Sequence, residues 1–251
     1  MSNDQKYDYN DGVKYLTSKI NDVNIADEVQ KVTTWLPPIM VTLCNTKMRM
    51  TCVDGAFQLY GHQKDSMSKI RSMRASFKAR YEIEDHPEDR KTEWRVGEVC
   101  VAKFGDHWYR AKILEINKTG RYAGIIYVDL GTVRKVDILD LRIPRAFAEQ
   151  PILAIQMVLH SIIPADGKRF TYDTLEEIQE QIGYWNTGYV QVTSTMEVAT
   201  FPIPVKLYII QKNGGIERKE NFGRTLRRVG LAVKGEVNLL NPEYKLHARV
   251  E

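Results

Sequence analysis

The stretches VAKFGDHWYRAKI, residues 101–113, and GIIYVDLGTVRKV, residues 124–136, decide how this chain folds. Both carry β-branched and aromatic residues in short runs, and Gly105-Asp106 and Gly131 interrupt them where a chain reverses. Working outward predicts strands at 97–104, 108–117, 123–130 and 132–137, with Thr119-Gly120 as a further turn. Strands this short and this close form a small antiparallel barrel. Successive side chains on a strand point to opposite faces, so Trp108 and Tyr109 part company, and Trp108 is assigned to the core. Phe104, Tyr109 and Tyr127 remain. Aromatic rings are more often buried than displayed, so residue type alone leaves these three as core or as a binding surface.

On the N-terminal side, residues 38–45 and 50–60 read as strands. Ile70, Met73, Phe77 and Tyr81 then fall at helical spacing, which predicts a helix over 69–81 capped by Asp65 or Ser66. Residues 84–93 are a charged, Pro-containing linker. On the C-terminal side, 152–163 reads as a buried strand and 172–182 as a helix ended by Gly183. Strands follow at 188–195 and 203–211, then a Gly214-Gly215 hairpin turn and a short helix at 222–230. The small barrel is therefore inserted between two halves of a second β-rich unit. Neither half has enough strands to close a core alone, so the halves pair with each other.

Composition sets the limits. The chain has 251 residues, 43% hydrophobic and 27% charged, as an ordinary globular protein does. Its net charge of +4 is a mild excess, too small to mark a dedicated nucleic-acid binder. Cys44, Cys52 and Cys100 are widely spaced and the five His do not cluster with them, so no metal site or cofactor is expected. The thiols read as inert and mostly buried in a reducing compartment. No apolar run reaches the length of about 18–20 residues that a membrane helix needs. The polar, acidic start MSNDQKYDYNDG is no secretory signal, and a cytoplasmic or nuclear location is expected. Residues 38–60 hold no cluster of carboxylates and arginines fit for phosphodiester hydrolysis, so no enzyme is expected. Lys69, Arg71, Arg74, Lys78 and Arg80 on the first helix, and RTLRRVG at 224–230, read as solvated faces, with RNA contact as the alternative.

The run GEVCVAKFGDHWYRAKI with YVDLGTVRKVDILDLRIP resembles the Tudor domain of the germline Tudor family. The likeness extends over roughly residues 30–235, as an extended Tudor unit. It implies a mainly β fold with a few helices: an SH3-like Tudor barrel inserted in a split OB-like domain similar to staphylococcal nuclease. The implied division is a 1–29 arm, a 30–92 first part with linker helix, a 93–145 Tudor barrel, a 146–235 second part and a 236–251 tail. The resemblance further implies a noncatalytic reader of arginine-rich peptides, often symmetrically dimethylated. Its partner would be the N-terminal tail of a PIWI-type Argonaute, and it would work as a scaffold of the piRNA pathway in perinuclear germline granules (nuage).

Carried over by position, the resemblance puts Phe104, Tyr109 and Tyr127 in an aromatic cage, with a turn between the first two one residue shorter than the pattern. Arg110 and Asp129 become a structural ion pair. Two positions depart: Leu130 stands where a fourth aromatic is expected, and Thr132 where an orienting Asn is expected. A lost ring removes about 1 kcal/mol of cation–π attraction, and a lost amide hydrogen bond removes about as much. Together they weaken binding roughly tenfold to thirtyfold. The cage is thus incomplete, and unmodified arginine is favoured, held by the remaining rings and by a carboxylate such as Asp106. A degenerate dimethylarginine reader, an RNA-binding OB-like module and a self-association module are the alternatives.

Overall fold

The computed structural model describes residues 32–39, 43–53, 58–166, 175, 176, 178, 190–194, 202–213 and 216–235. In chain order these form β1 (Thr46–Val53), β2 (Gln58–Gln63), α1 (Ser66–Lys78), β3 (Val99–Phe104), β4 (His107–Ile116), β5 (Tyr122–Tyr127) and β6 (Thr132–Asp137). Then follow β7 (Ile155–Leu159), β8 (Ile162–Pro164), β9 (Val190–Ser194), β10 (Ile203–Asn213), β11 (Ile216–Asn221), α2 (Phe222–Arg228) and β12 (Ala232–Lys234).

The larger sheet has the order β11-β10-β7-β2-β1-β9, and β9 pairs again with β10, so five strands close into a barrel. The β7–β10 contact is parallel, while its other pairings are antiparallel. Alternation along β1 sends Met48 and Met50 inward, where they meet Leu59, Met157, Val192, Val205 and Leu207. Phe222 and Leu226 of α2 join the same core. Between its halves runs the β3-β4-β5-β6 meander. The backbone of Arg142 closes that meander by exchanging two 2.9 Å hydrogen bonds with Val101 of β3. This is the expected architecture: a small barrel inserted in a split OB-like barrel.

Helix α1 covers one side of the small barrel. Ile70, Met73 and Phe77, with Tyr81 in the π-helical turn that follows, bury one stripe against Val101, Trp108, Tyr109 and Ile113. Phe77 meets Phe147 edge to face at 5.3 Å. Asp85, in the left-handed conformation at φ +45°, ends the turn.

One buried ion pair joins the two barrels. Arg110 and Asp129 are 0% and 1% exposed, and two hydrogen bonds of 2.7 and 2.8 Å link them. The guanidinium also donates to the carbonyls of Phe147, Gln150 and Pro151 and lies 5.2 Å from the Trp35 ring. The Leu153 N–H donates to Asp129 at 3.0 Å. Residues 147–153 lead directly into β7, so this pair fixes the passage from one barrel to the other.

Several expectations need correction. The strand expected at 38–45 begins only at Thr46, after Asn45 in the left-handed region at φ +50°. The strand expected at 50–60 is the hairpin β1–β2. The run 152–163 is two strands, broken at His160-Ser161, where Ser161 takes φ +56°. The linker 84–93 contains the wholly buried Asp89, which Arg80 (2.5 Å) and Arg145 (2.9 Å) neutralise. Arg80 is therefore no solvated residue. Cys100 is buried, but Cys52 is half-buried and Cys44 exposed, so the thiols are not uniformly inside. The arm 1–30, most of the helix 172–182 and the Gly214-Gly215 turn lie outside the described residues.

Asp129→Ala would leave the Arg110 guanidinium buried without a counter-ion, a defect that costs about 3–5 kcal/mol. The expected outcome is an unfolding free energy from urea titration lowered by that amount, against a change within about 0.5 kcal/mol for alanine at the exposed Asp106.

Candidate functional site

Strand register assembles the site. Ala102 lies opposite Tyr109, Ala111 opposite Tyr127, and Tyr127 opposite Thr132. Side chains two apart share a face, so Phe104, Tyr109, Tyr127, Thr132 and Arg134 all point to the same side of the meander. The three rings touch: centroids are 5.3 Å apart for Phe104–Tyr127, 6.1 Å for Tyr109–Tyr127 and 6.3 Å for Phe104–Tyr109. Their planes cross at 57–74°, in the edge-to-face range of packed aromatics. Tyr127 is the floor, 1% exposed, with its hydroxyl donating to the Lys103 carbonyl at 2.5 Å. Tyr109 is 5% exposed and Phe104 half-buried. Tyr109 and Tyr127 belong to the core of the small barrel, so whatever reaches the trio does so from its outer side.

Two cations of the chain itself already do so. The Arg74 guanidinium, from α1, lies 4.7 Å from the Tyr109 centroid and donates to the Tyr109 hydroxyl. Arg134 lies 5.7 Å from the Phe104 centroid. Sequence reading missed both. For Arg74 a signal existed: it stands four residues after Ile70 and three before Phe77, so it shares their face of the helix.

The other expected residues sit as follows. Asp106 is exposed in the β3–β4 turn, and among the described residues no hydrogen bond or ion pair ties it to the rings. Thr132 is buried beside Tyr127. Leu130 is half-buried against the core of the small barrel, and its carbonyl accepts from the Thr51 hydroxyl at 2.8 Å. Trp108 is buried on the opposite face of β4, stacked near Tyr81 at 5.4 Å and donating to Glu82 at 3.0 Å.

The turn carrying Leu130 is held by the larger barrel. His62 of β2 bonds the Asp129 carbonyl through Nε2. Gly131, at φ +79°, lies flat on Tyr60, where a Cβ would overlap the ring. No residue but glycine fits there. With Nε2–H as donor, His62 Nδ1 keeps a lone pair, and it has no partner among the described residues. Burial pushes the His62 pKa below its ordinary 6.5, Arg49 and Arg74 push it further, and Asp129 opposes them.

Comparison with known proteins fits this geometry. A Tudor-domain family model matches residues 43–161. The chain carries a Tudor domain. The chain is similar to part of mouse RING finger protein 17, 34% identical over 86 residues that cover 34% of this chain and 5% of that protein. The chain thus corresponds to a small fraction of that relative's length. The fold is that of the extended Tudor domain. The mouse TDRD1 extended Tudor domain TD3, solved with a MILI peptide containing dimethylarginine, superimposes with a TM-score of 0.66 at 19% identity, covering 81% of this chain and 100% of that one. The human TDRD1 extended Tudor domain, solved with a symmetrically dimethylated peptide, gives 0.64 at 18%, covering 81% and 96%. Drosophila Papi with a dimethylated Piwi N-terminal peptide gives 0.62 at 16%, covering 75% and 98%.

His62 makes folding pH-dependent. Its folded pKa lies below the unfolded 6.5, so below that pH the unfolded chain binds the extra proton. Stability should fall as pH drops through 6.5, and His62→Gln, which keeps a donor for the Asp129 carbonyl, should flatten this part of the profile. Urea unfolding from pH 7.5 to about 5 checks both, because the linkage acts over the unfolded His range.

Proposed function

We propose that this chain is a noncatalytic peptide-binding module that takes an arginine from the arginine-rich N-terminal tail of a PIWI-type Argonaute, and takes it unmodified at least as readily as symmetrically dimethylated. The observation that carries the reading is the ring trio Phe104, Tyr109 and Tyr127 on one face of the meander, beside the junction of the two barrels. Rings attract a guanidinium by about 0.5–2 kcal/mol each, more as water is excluded. Leu130 and Thr132 supply neither a fourth ring nor a side-chain amide, the groups that would reward methylation. The ligands named with the similar structures, MILI and Piwi peptides, support the partner class. Asp106 at the rim is the carboxylate for a neighbouring cation of the tail. The module acts as a scaffold in cytoplasmic, perinuclear germline granules.

The test is a titration with one Argonaute-tail peptide in unmodified and symmetrically dimethylated forms. The expected result is equal or tighter binding of the unmodified form. Phe104→Ala, which removes the half-buried ring, should weaken it by roughly 3- to 30-fold. A tenfold or greater preference for the dimethylated peptide defeats the reading.

One further observation favours RNA as a second ligand. A cavity of about 220 Å³ on the larger barrel is lined by His160, Lys206, Tyr208, Arg224, Arg227 and Lys234. Among the described residues none of Lys206, Arg224, Arg227 and Lys234 forms an ion pair. Cations beside an aromatic ring are the chemistry of single-strand binding. The expected sign is an oligonucleotide affinity that falls steeply with salt, with a slope reduced by about 2 in Arg224→Ala/Arg227→Ala. An unchanged slope sinks this second reading and leaves the first intact.

A further inference from the structure

Most buried or half-buried arginines of this protein have a carboxylate or a set of carbonyls. Arg110 has Asp129, Arg80 and Arg145 share Asp89, and Arg142 donates to the carbonyls of Leu139 and Leu141. Arg74 is different. Among the described residues it has neither a carboxylate nor a carbonyl, and its Nε, like that of Arg142, is buried without a hydrogen-bond partner. Its contacts are the face of Tyr109 at 4.7 Å and the Tyr109 hydroxyl. Burial lowers its pKa, and the neighbouring Arg49 and Arg71 lower it further. A guanidinium without a counter-ion, repelled by two others and resting on a ring of the trio, makes the contacts that a bound arginine would make.

We infer that Arg74 is a resident ligand of the ring site, supplied by α1, which a partner's arginine must displace, and that it sets how tightly the site binds any arginine. The inference rests on the peptide reading above. Three features make displacement feasible. Arg74 is half-buried rather than enclosed, so its side chain has a path to solvent. A buried donor left unpaired makes the resident state costly. The nearby Arg49 and Arg71 favour its departure. The anchors of α1, Ile70, Met73 and Phe77, do not depend on it.

Arg74 must leave before any arginine seats on the rings, so its displacement lowers the apparent affinity of the unmodified and the dimethylated ligand by the same factor.

The experiment has two readouts. In the free protein with labelled arginine, the Arg74 Nε–Hε resonance should carry an upfield ring-current shift that Tyr109→Leu removes. Saturation with the Argonaute-tail peptide should return that resonance towards the solvent value. In titrations, Arg74→Ala and Arg74→Gln should raise affinity for the dimethylated and the unmodified peptide alike by roughly 3- to 30-fold, the worth of one ring–cation contact. A free-protein resonance without the ring-current shift overturns the inference whatever the peptide does. Peptides that bind wild type and Arg74→Ala alike overturn it while leaving the peptide reading standing. Failure of both proteins to bind either peptide defeats both. Circular dichroism of the two variants, compared with wild type, excludes a loss of α1 as the source of any change.

Discussion

The buried pair Arg110–Asp129 is the constraint on which the rest of the structure depends. A charge taken out of water is tolerable only when every donor and acceptor around it is satisfied. Here each is. The guanidinium holds the carboxylate and three carbonyls of residues 147–151, and the carboxylate also holds the Leu153 N–H. The Asp129 carbonyl takes His62 from the other barrel. A single side-chain pair therefore positions the Val128–Gly131 turn, the connector into β7 and the barrel that β7 enters. Any displacement of one would strip partners from the others.

This arrangement shapes the electrostatics of the ring site. The two most buried carboxylates, Asp89 and Asp129, are committed to structural arginines. Among the described residues no carboxylate pairs with Arg74 on Tyr109, and Arg49 and Arg71 act on it instead. The surface is aromatic and locally cationic, so ring faces rather than ion pairs supply its attraction for another cation. The backbone beneath it is rigid for the same reason that the turn is fixed. Thr51 and Tyr60 of the larger barrel meet Leu130 and Gly131 directly.

Much of this was legible in the sequence because it depends on local pattern. Period-two alternation and the glycine turns mark β3 to β6, and register then brings Phe104, Tyr109 and Tyr127 to one face. The apolar spacing of Ile70, Met73 and Phe77 marks α1. The errors have physical causes. MTCVDGAFQLY is rich in β-branched and aromatic residues on both sides of Asp54-Gly55, so it reads as one strand although that dipeptide is a turn signal. Asp89 in a charged, Pro-containing linker looks solvated, and only the tertiary approach of Arg145 explains its burial. Arg74 among other basic residues also reads as solvent-facing. Its spacing from Ile70 and Phe77 places it on their face of the helix, but its contact lies 35 positions away on β4, and no local pattern names that partner.

The inserted topology bears on the order in which the chain acquires structure. The meander joins strands that are neighbours in sequence, whereas the larger barrel must unite Thr46 with Val192 and Gly61 with Ile155. Contacts between neighbours form early, and distant pairings wait on loop closure. Because Gly61 and Ile155 stand opposite each other, the chain leaves the insert beside the point where it entered. A folded insert acts as a clasp: it turns a long flexible loop into a short one before β2 and β7 meet. Until then, the edges of the β1–β2 hairpin stay open to pairing with other chains. A small barrel that forms first would therefore shorten the time for which those edges stay exposed.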